Sequence, residues 1–181
     1  MPCYFHADDI APSFVRTVNA VSKRPTKFFE EMAEDVGYKD SIILLSILMF
    51  FPAAELVYFN DMEFMMYIFP AVIAGGLVIA WLWAEYVNWA LRVFHHKHIE
   101  KTAVFRVIAY ANALNILHLT VFLSPVVLLW QIYLMYRGFV SHLGINAEMA
   151  GWLVAIPFIC ISFSALGIIM FMGVTGIIHF E

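Results

Sequence analysis

Apolar residues dominate this chain in long blocks, and the block lengths predict its elements. A helix rises about 1.5 Å per residue, so about 20 residues cross roughly 30 Å of hydrocarbon. One such block covers residues 41–59, with Pro52 inside it, and a second starts near Phe64 and continues through Pro70 to Leu91. It gives way to Arg92, His95, His96, Lys97 and His98, which are too polar for lipid. Residues 102–142 form an apolar stretch about twice the length of one crossing, which predicts two helices joined by a tight turn near Ser124 and Pro125. A fifth helix is predicted over 149–171. The expected fold is therefore all-α: a polytopic membrane helix bundle of about five transmembrane helices. A leader over 1–40 precedes the membrane domain over 41–172, and a short external tail over 173–181 follows it.

Within the leader the period changes from continuous to amphipathic. Phe28, Phe29, Met32 and Val36 fall on one helical face, with Glu30, Glu31, Glu34 and Asp35 largely opposite. The spacing predicts a helix over 25–36 that lies along the membrane surface as a collar packed on the bundle. A shorter segment over 14–21 has a similar pattern. The leader lacks the apolar core and small-residue cleavage site of a secretory signal, so the first span is expected to direct insertion.

Charge orients the helices. The chain has ten Lys and Arg residues. Arg16, Lys23, Arg24, Lys27 and Lys39 precede the first block, Arg92, Lys97, Lys101 and Arg106 flank the gap after the second, and Arg137 follows the fourth. Asn60, Asp61 and Glu63 occupy the gap between the first two blocks instead. Cytoplasmic loops carry the Lys/Arg excess, so the amino terminus is expected inside and the carboxyl terminus outside.

Composition places the chain in the same class. It is 63% hydrophobic and 13% charged, and its mean hydropathy is +0.83, values that a water-soluble domain of this size does not reach. A formal net charge of −4 argues against a nucleic-acid surface. Cys3 and Cys160 fall in the leader and deep in the last apolar block, so no disulfide is expected between them.

Ionisable and amide groups inside the spans are the candidate chemistry, because placing them in lipid is costly. Glu55 falls in the outer third of the first span. Asn112, Asn115 and His118 recur every three residues along the third, so they share one face, with His118 near the depth of Glu55. Glu85 falls near the inner edge of the second span, at the depth of Arg92 and Arg106. Two contacts are expected to tie the bundle: Glu55 with His118 or Asn115 outside, and Glu85 with Arg106 or Arg92 inside. Two readings stand for the outer group, interhelical hydrogen bonding or a proton or cation path, and the first is the commoner use of such residues.

No metal site is expected from His95, His96 and His98, which lack nearby Cys or carboxylate partners in a fixed geometry. No bis-histidine haem pair, phosphate loop or catalytic triad is present at workable depth, so neither a cofactor nor an enzymatic activity is expected. The small-residue rows Ala71/Gly75, Gly76/Ala80 and Ala109/Ala113 allow close helix approach, within the bundle or at a dimer face.

The order of several motifs resembles the Yip domain family, named for Ypt-interacting proteins. Lys23-Arg24-Pro25-Thr26-Lys27-Phe28-Phe29-Glu30-Glu31-Met32 is similar to the opening of its bacterial members. Phe105-Arg106-Val107-Ile108-Ala109-Tyr110-Ala111-Asn112 is similar to the segment entering that family's third span, though the proline that often follows the Tyr-Ala pair is missing. Trp130 and Tyr136-Arg137-Gly138-Phe139 are similar to its fourth. The resemblance covers about residues 23–172 and implies five membrane helices with a cytoplasmic amino terminus. The short leader resembles that of prokaryotic members, which implies a bacterial inner membrane. The GTPase binding of eukaryotic relatives is not carried over.

The expected function is that of a non-enzymatic membrane scaffold acting through helix contacts with other integral membrane proteins, with lipids and with further copies of itself. The alternatives are an accessory subunit of a larger redox or transport complex, binding lipid or quinone, and a small transporter or ion pathway using Glu55 and His118.

Overall fold

The computed structural model describes residues 4–32, 38–59, 65–96, 99–119 and 123–174; of residues 161–174 only Phe163 has a described side chain. The described residues form seven α-helices, one 3₁₀ helix and no strand: α1 (Ile10–Lys23), α2 (Pro25–Glu30), α3 (Tyr38–Phe59), α4 (Met65–His95), α5 (Lys101–Ala111), a 3₁₀ helix over Asn112–Leu119, α6 (Ser124–Ser141) and α7 (Ala147–Val174). Local chemistry sets the boundaries. Pro25 and Pro125 stand in the first turns of α2 and α6, where a missing N–H costs nothing. Asn146 Oδ1 accepts the Glu148 N–H at 3.1 Å at the start of α7. Just before it, Gly144 turns the chain at φ +59°, a conformation that side chains with a Cβ rarely adopt.

Two helices are long and apolar enough to cross a membrane, residues Tyr38–Tyr58 in α3 and Met66–Phe94 in α4. The second is decisive. Its mean hydropathy is 1.9, yet only 11% of its most apolar window is buried inside the protein. Val78, Ile79, Trp81, Leu82 and Trp89 stand about half exposed along it. A soluble core helix with that composition is covered by protein, whereas a lipid-facing helix is not. That exposure is what a lipid-facing helix shows.

The leader departs from expectation in form. The predicted 25–36 helix stops at Glu30 after six residues, while the segment expected over 14–21 extends to fourteen. Phe28, Phe29 and Met32 are nonetheless buried, at 4%, 0% and 4% exposure, and Val36 lies outside the described residues. Phe28 stacks tilted on Tyr110 at 5.3 Å between ring centroids. A Cβ on Gly138 would come within 3.1 Å of the Phe29 ring and 2.3 Å of Val107, so this glycine lets α6 approach α2 and α5 closely. Arg137 of α6 donates to Thr26 Oγ1 from Nε at 3.0 Å and also from its terminal nitrogen, fixing α2 on α6. Ahead of α1, Phe5 is fully buried, and the Ala7 N–H donates to Asp40 Oδ1 at 3.2 Å. The leader is thus built into the bundle, and α1 packs against the 3₁₀ helix.

The third helix is also not uniform. A continuous α-helix was expected through Asn112, Asn115 and His118; the structure switches to 3₁₀ at Asn112. The side chain of Asn112 supplies the reason. Its Nδ2 donates to the Ile108 carbonyl at 2.8 Å, taking the acceptor four residues back. The Asn112 backbone N–H turns to the Ala109 carbonyl, three residues back. One amide has displaced its own backbone, and the tighter helix follows.

Candidate functional site

The 3₁₀ helix carries two amides that join a hydrogen-bonded chain in the bundle interior. With three residues per turn, positions three apart eclipse one another, so Asn112 and Asn115 stack in line. Asn115 is 3% exposed and donates from Nδ2 to Asn112 Oδ1 at 3.3 Å. Across the helix seam, Gln131 of α6, 8% exposed, donates from Nε2 to Asn115 Oδ1. The three amides form one chain of hydrogen bonds from the Ile108 carbonyl to α6.

Beside this chain lies a cavity of about 220 Å³. Asn112 and Gln131 supply its polar wall, and Met49, Gly76, Trp83 and Phe158 are among the apolar residues that complete it. Among the described residues no ionisable side chain lines it. An open apolar groove of about 360 Å³ lies between α4 and α7, lined by Leu82, Tyr86, Ile156, Pro157 and Cys160, and Ile79 and Trp83 border both it and the cavity. The Trp83 indole N–H donates to the Leu153 carbonyl of α7 at 3.3 Å, which holds the ring in place.

The expected contacts meet the structure unequally. Asn112 and Asn115 come together as one hydrogen-bonded pair. Glu55 is half-buried on α3, which packs along the 3₁₀ helix, and the side chain of its expected partner His118 lies outside the described residues. The inner contact is corrected: Glu85 is ion-paired with Lys101 at the start of α5, not with Arg92 or Arg106. Lys101 opens the helix that packs on α4, so its long side chain reaches the carboxylate from the neighbouring helix end. Arg92 is exposed, while Arg106 is buried at 3%. Gln131 escaped the sequence reading, although an uncharged amide inside an apolar run is itself the signal that could have found it.

A second set of polar groups is enclosed without hydrogen-bond partners among the described residues: Ser41 Oγ and both amide atoms of Asn88. Asn88 is 1% exposed on α4, one turn beyond Glu85. The amides of Asn112 and Gln131 can bind and orient a neutral group in the cavity without charge. Among the described residues no group of three His, Cys, Asp or Glu side chains could hold a metal.

The family model described as the Yip1 domain matches residues 19–173, which takes in the end of α1, α2 through α6 and nearly all of α7. The chain belongs to the Yip1 domain family. No curated protein and no solved structure matches it. The amide chain, the cavity and the Glu85–Lys101 pair all lie inside the Yip1 domain.

Proposed function

We propose that this Yip1-domain protein is a non-enzymatic scaffold of five membrane crossings, amino terminus in the cytoplasm and carboxyl terminus outside, in a bacterial inner membrane. It works by helix-to-helix contact with other integral membrane proteins, further copies of itself included. The orientation rests on the Lys/Arg distribution. Single cysteines at Asn60 and Lys97 label from opposite sides of the membrane if it is right, and labelling from one side refutes it.

The observation that carries the scaffold reading is the division of small residues on α4. Gly76 faces inward, where an added Cβ would come within 2.5 Å of Met49 Sδ. Gly75, one residue earlier, meets nothing within 4 Å, and Ala71 and Ala74 beside it are exposed. Inward small residues pack this bundle, while outward ones leave a shallow face against which another helix backbone can lie closely in lipid. Recovery of the wild type and of Gly75→Leu in mild detergent, with mass spectrometry of co-purifying membrane proteins, tests the reading. The wild type retains a stoichiometric membrane partner or a second copy, and Gly75→Leu loses most of it with no change in melting temperature. A wild type recovered alone, or a partner retained equally by both, removes the scaffold.

A further inference from the structure

The cavity beside the amide chain has the properties of a ligand site that scaffolding alone does not explain. Gln131 is more than nine-tenths buried, and its Nε2 is committed to Asn115. Its other pole, Oε1, receives no hydrogen bond among the described residues and is not one of the fully enclosed polar atoms without a partner. Gln131 lines a space of about 220 Å³, and the acceptor is the pole of its amide left uncommitted at that wall. A carbonyl oxygen held in an apolar interior without a donor is costly, and its cost falls when a donor enters. One water takes up about 30 Å³ of liquid volume, so the space far exceeds what a single bridging water needs.

The surroundings select the kind of donor. With no ionisable group on its walls among the described residues, the cavity offers nothing to balance a charged head, and a phosphate or carboxylate brought there would lose its hydration uncompensated. The way in also selects. Ile79 and Trp83 border both the cavity and the apolar groove of about 360 Å³ between α4 and α7. The exposed groove residues Ile79, Leu82 and Ile156 lie on helices whose apolar faces require lipid. An occupant that satisfies both spaces has a hydrocarbon body for the groove and a small neutral hydroxyl head for the cavity.

We propose that this is an intramembrane binding site for a neutral, hydroxyl-bearing lipid, with its hydroxyl donating to Gln131 Oε1 and its hydrocarbon lying between α4 and α7 past Trp83. The arrangement explains why the polar wall of the cavity is built from amides, which hydrogen-bond without charge, and why the indole of Trp83 is tied to Leu153 at the junction of the two spaces.

The test uses the full chain reconstituted in phosphatidylcholine vesicles containing a diazirine-bearing diacylglycerol, with a diazirine-bearing phosphatidylcholine as the charged-head control. Photocapture of the diacylglycerol exceeds that of the control, and cross-linked peptides map to α4, α6 or α7. Gln131→Met keeps the side-chain length and removes the acceptor; it lowers capture about fivefold, the worth of one ordinary hydrogen bond. Ala80→Leu fills the opposite wall, leaves every amide in place and lowers capture as well. If Gln131→Met does not yield a folded protein, Ala80→Leu alone decides. Equal capture of both probes, cross-links confined to other helices, or capture unchanged by a folded Gln131→Met or by Ala80→Leu overturns the proposal. None of these results depends on whether partners co-purify, so failure here is distinguishable from failure of the scaffold.

Discussion

Asn115 and Asn88 are both amides buried in apolar helices, and the protein treats them in opposite ways. Asn115, on the 3₁₀ helix, is hydrogen-bonded at both ends, to Asn112 and to Gln131, and stands in the network beside the cavity. Asn88, on α4, is enclosed with neither amide atom paired among the described residues. The difference lies in the backbone beneath them. In a regular α-helix every interior backbone group is already bonded, so a buried amide must find a side chain on a neighbouring helix, and the buried neighbours of Asn88 along α4 include only apolar residues such as Ala84, Val87, Ala90 and Leu91. Asn112 broke that regularity by taking the Ile108 carbonyl, and the 3₁₀ spacing that followed lined up the next amide behind it. A polar side chain in a membrane helix is satisfied most readily where the helix itself gives way.

The largest expected effect is at Asn115. Asn115→Leu removes two hydrogen bonds and leaves half-buried Asn112 and buried Gln131 each with a pole that has lost its partner, so thermal unfolding in detergent should show a loss of about 2 kcal/mol. An unchanged melt would mean that the amide chain does not hold the seam between the 3₁₀ helix and α6.

Asn88→Leu should act in the other direction and less strongly. Replacing an unpaired, desolvated amide by an apolar side chain of similar size should stabilise the protein by about 1 kcal/mol in the same assay. A clear loss of stability would show that Asn88 has a partner in the membrane, and the contrast between the two amides would collapse.

Asn112→Leu changes stability least and geometry most. Freed of the side-chain competitor, the Ile108 carbonyl can take its normal backbone donor, and eight residues that revert from 3₁₀ to α shorten by about 4 Å. Pulsed electron-spin distance measurement between labels at Thr102 and Leu117, which spans the 3₁₀ helix from Asn112 to Leu117, reads about 3 Å of that change. A distance equal to wild type would assign the 3₁₀ helix to packing against α1 and α3 instead of to Asn112.

Much of the chain's organisation was legible before any coordinates. Apolar block length located α3, α4, α6 and α7 to within a few residues at most ends, because a long apolar run without breakers favours one helix over its whole length; α3 and α4 alone are long and apolar enough among the described residues to cross a membrane. The burial of Phe28, Phe29 and Met32 followed from their spacing against the acidic residues beside them, since water enforces amphipathicity in a leader. The motifs around Pro25 and Tyr110 were enough to indicate the Yip1 domain, which the family model matches over residues 19–173.

What remained for the tertiary structure was whatever depended on one helix meeting another. The sequence reading offered Glu85 two cations, Arg92 and Arg106, and only the packing of α4 on α5 brought Lys101 to it instead. Gln131 was one amide in an apolar run until α6 placed it against Asn115. Gly75 and Gly76 are adjacent in the chain and opposite in use, because a rotation of about 100° per residue turns one towards Met49 and the other outward. Hydropathy sets depth and length, properties each helix has alone; partner choice, cavities and the competition between the Asn112 side chain and its own backbone arise from contacts between elements, which no single stretch of sequence contains.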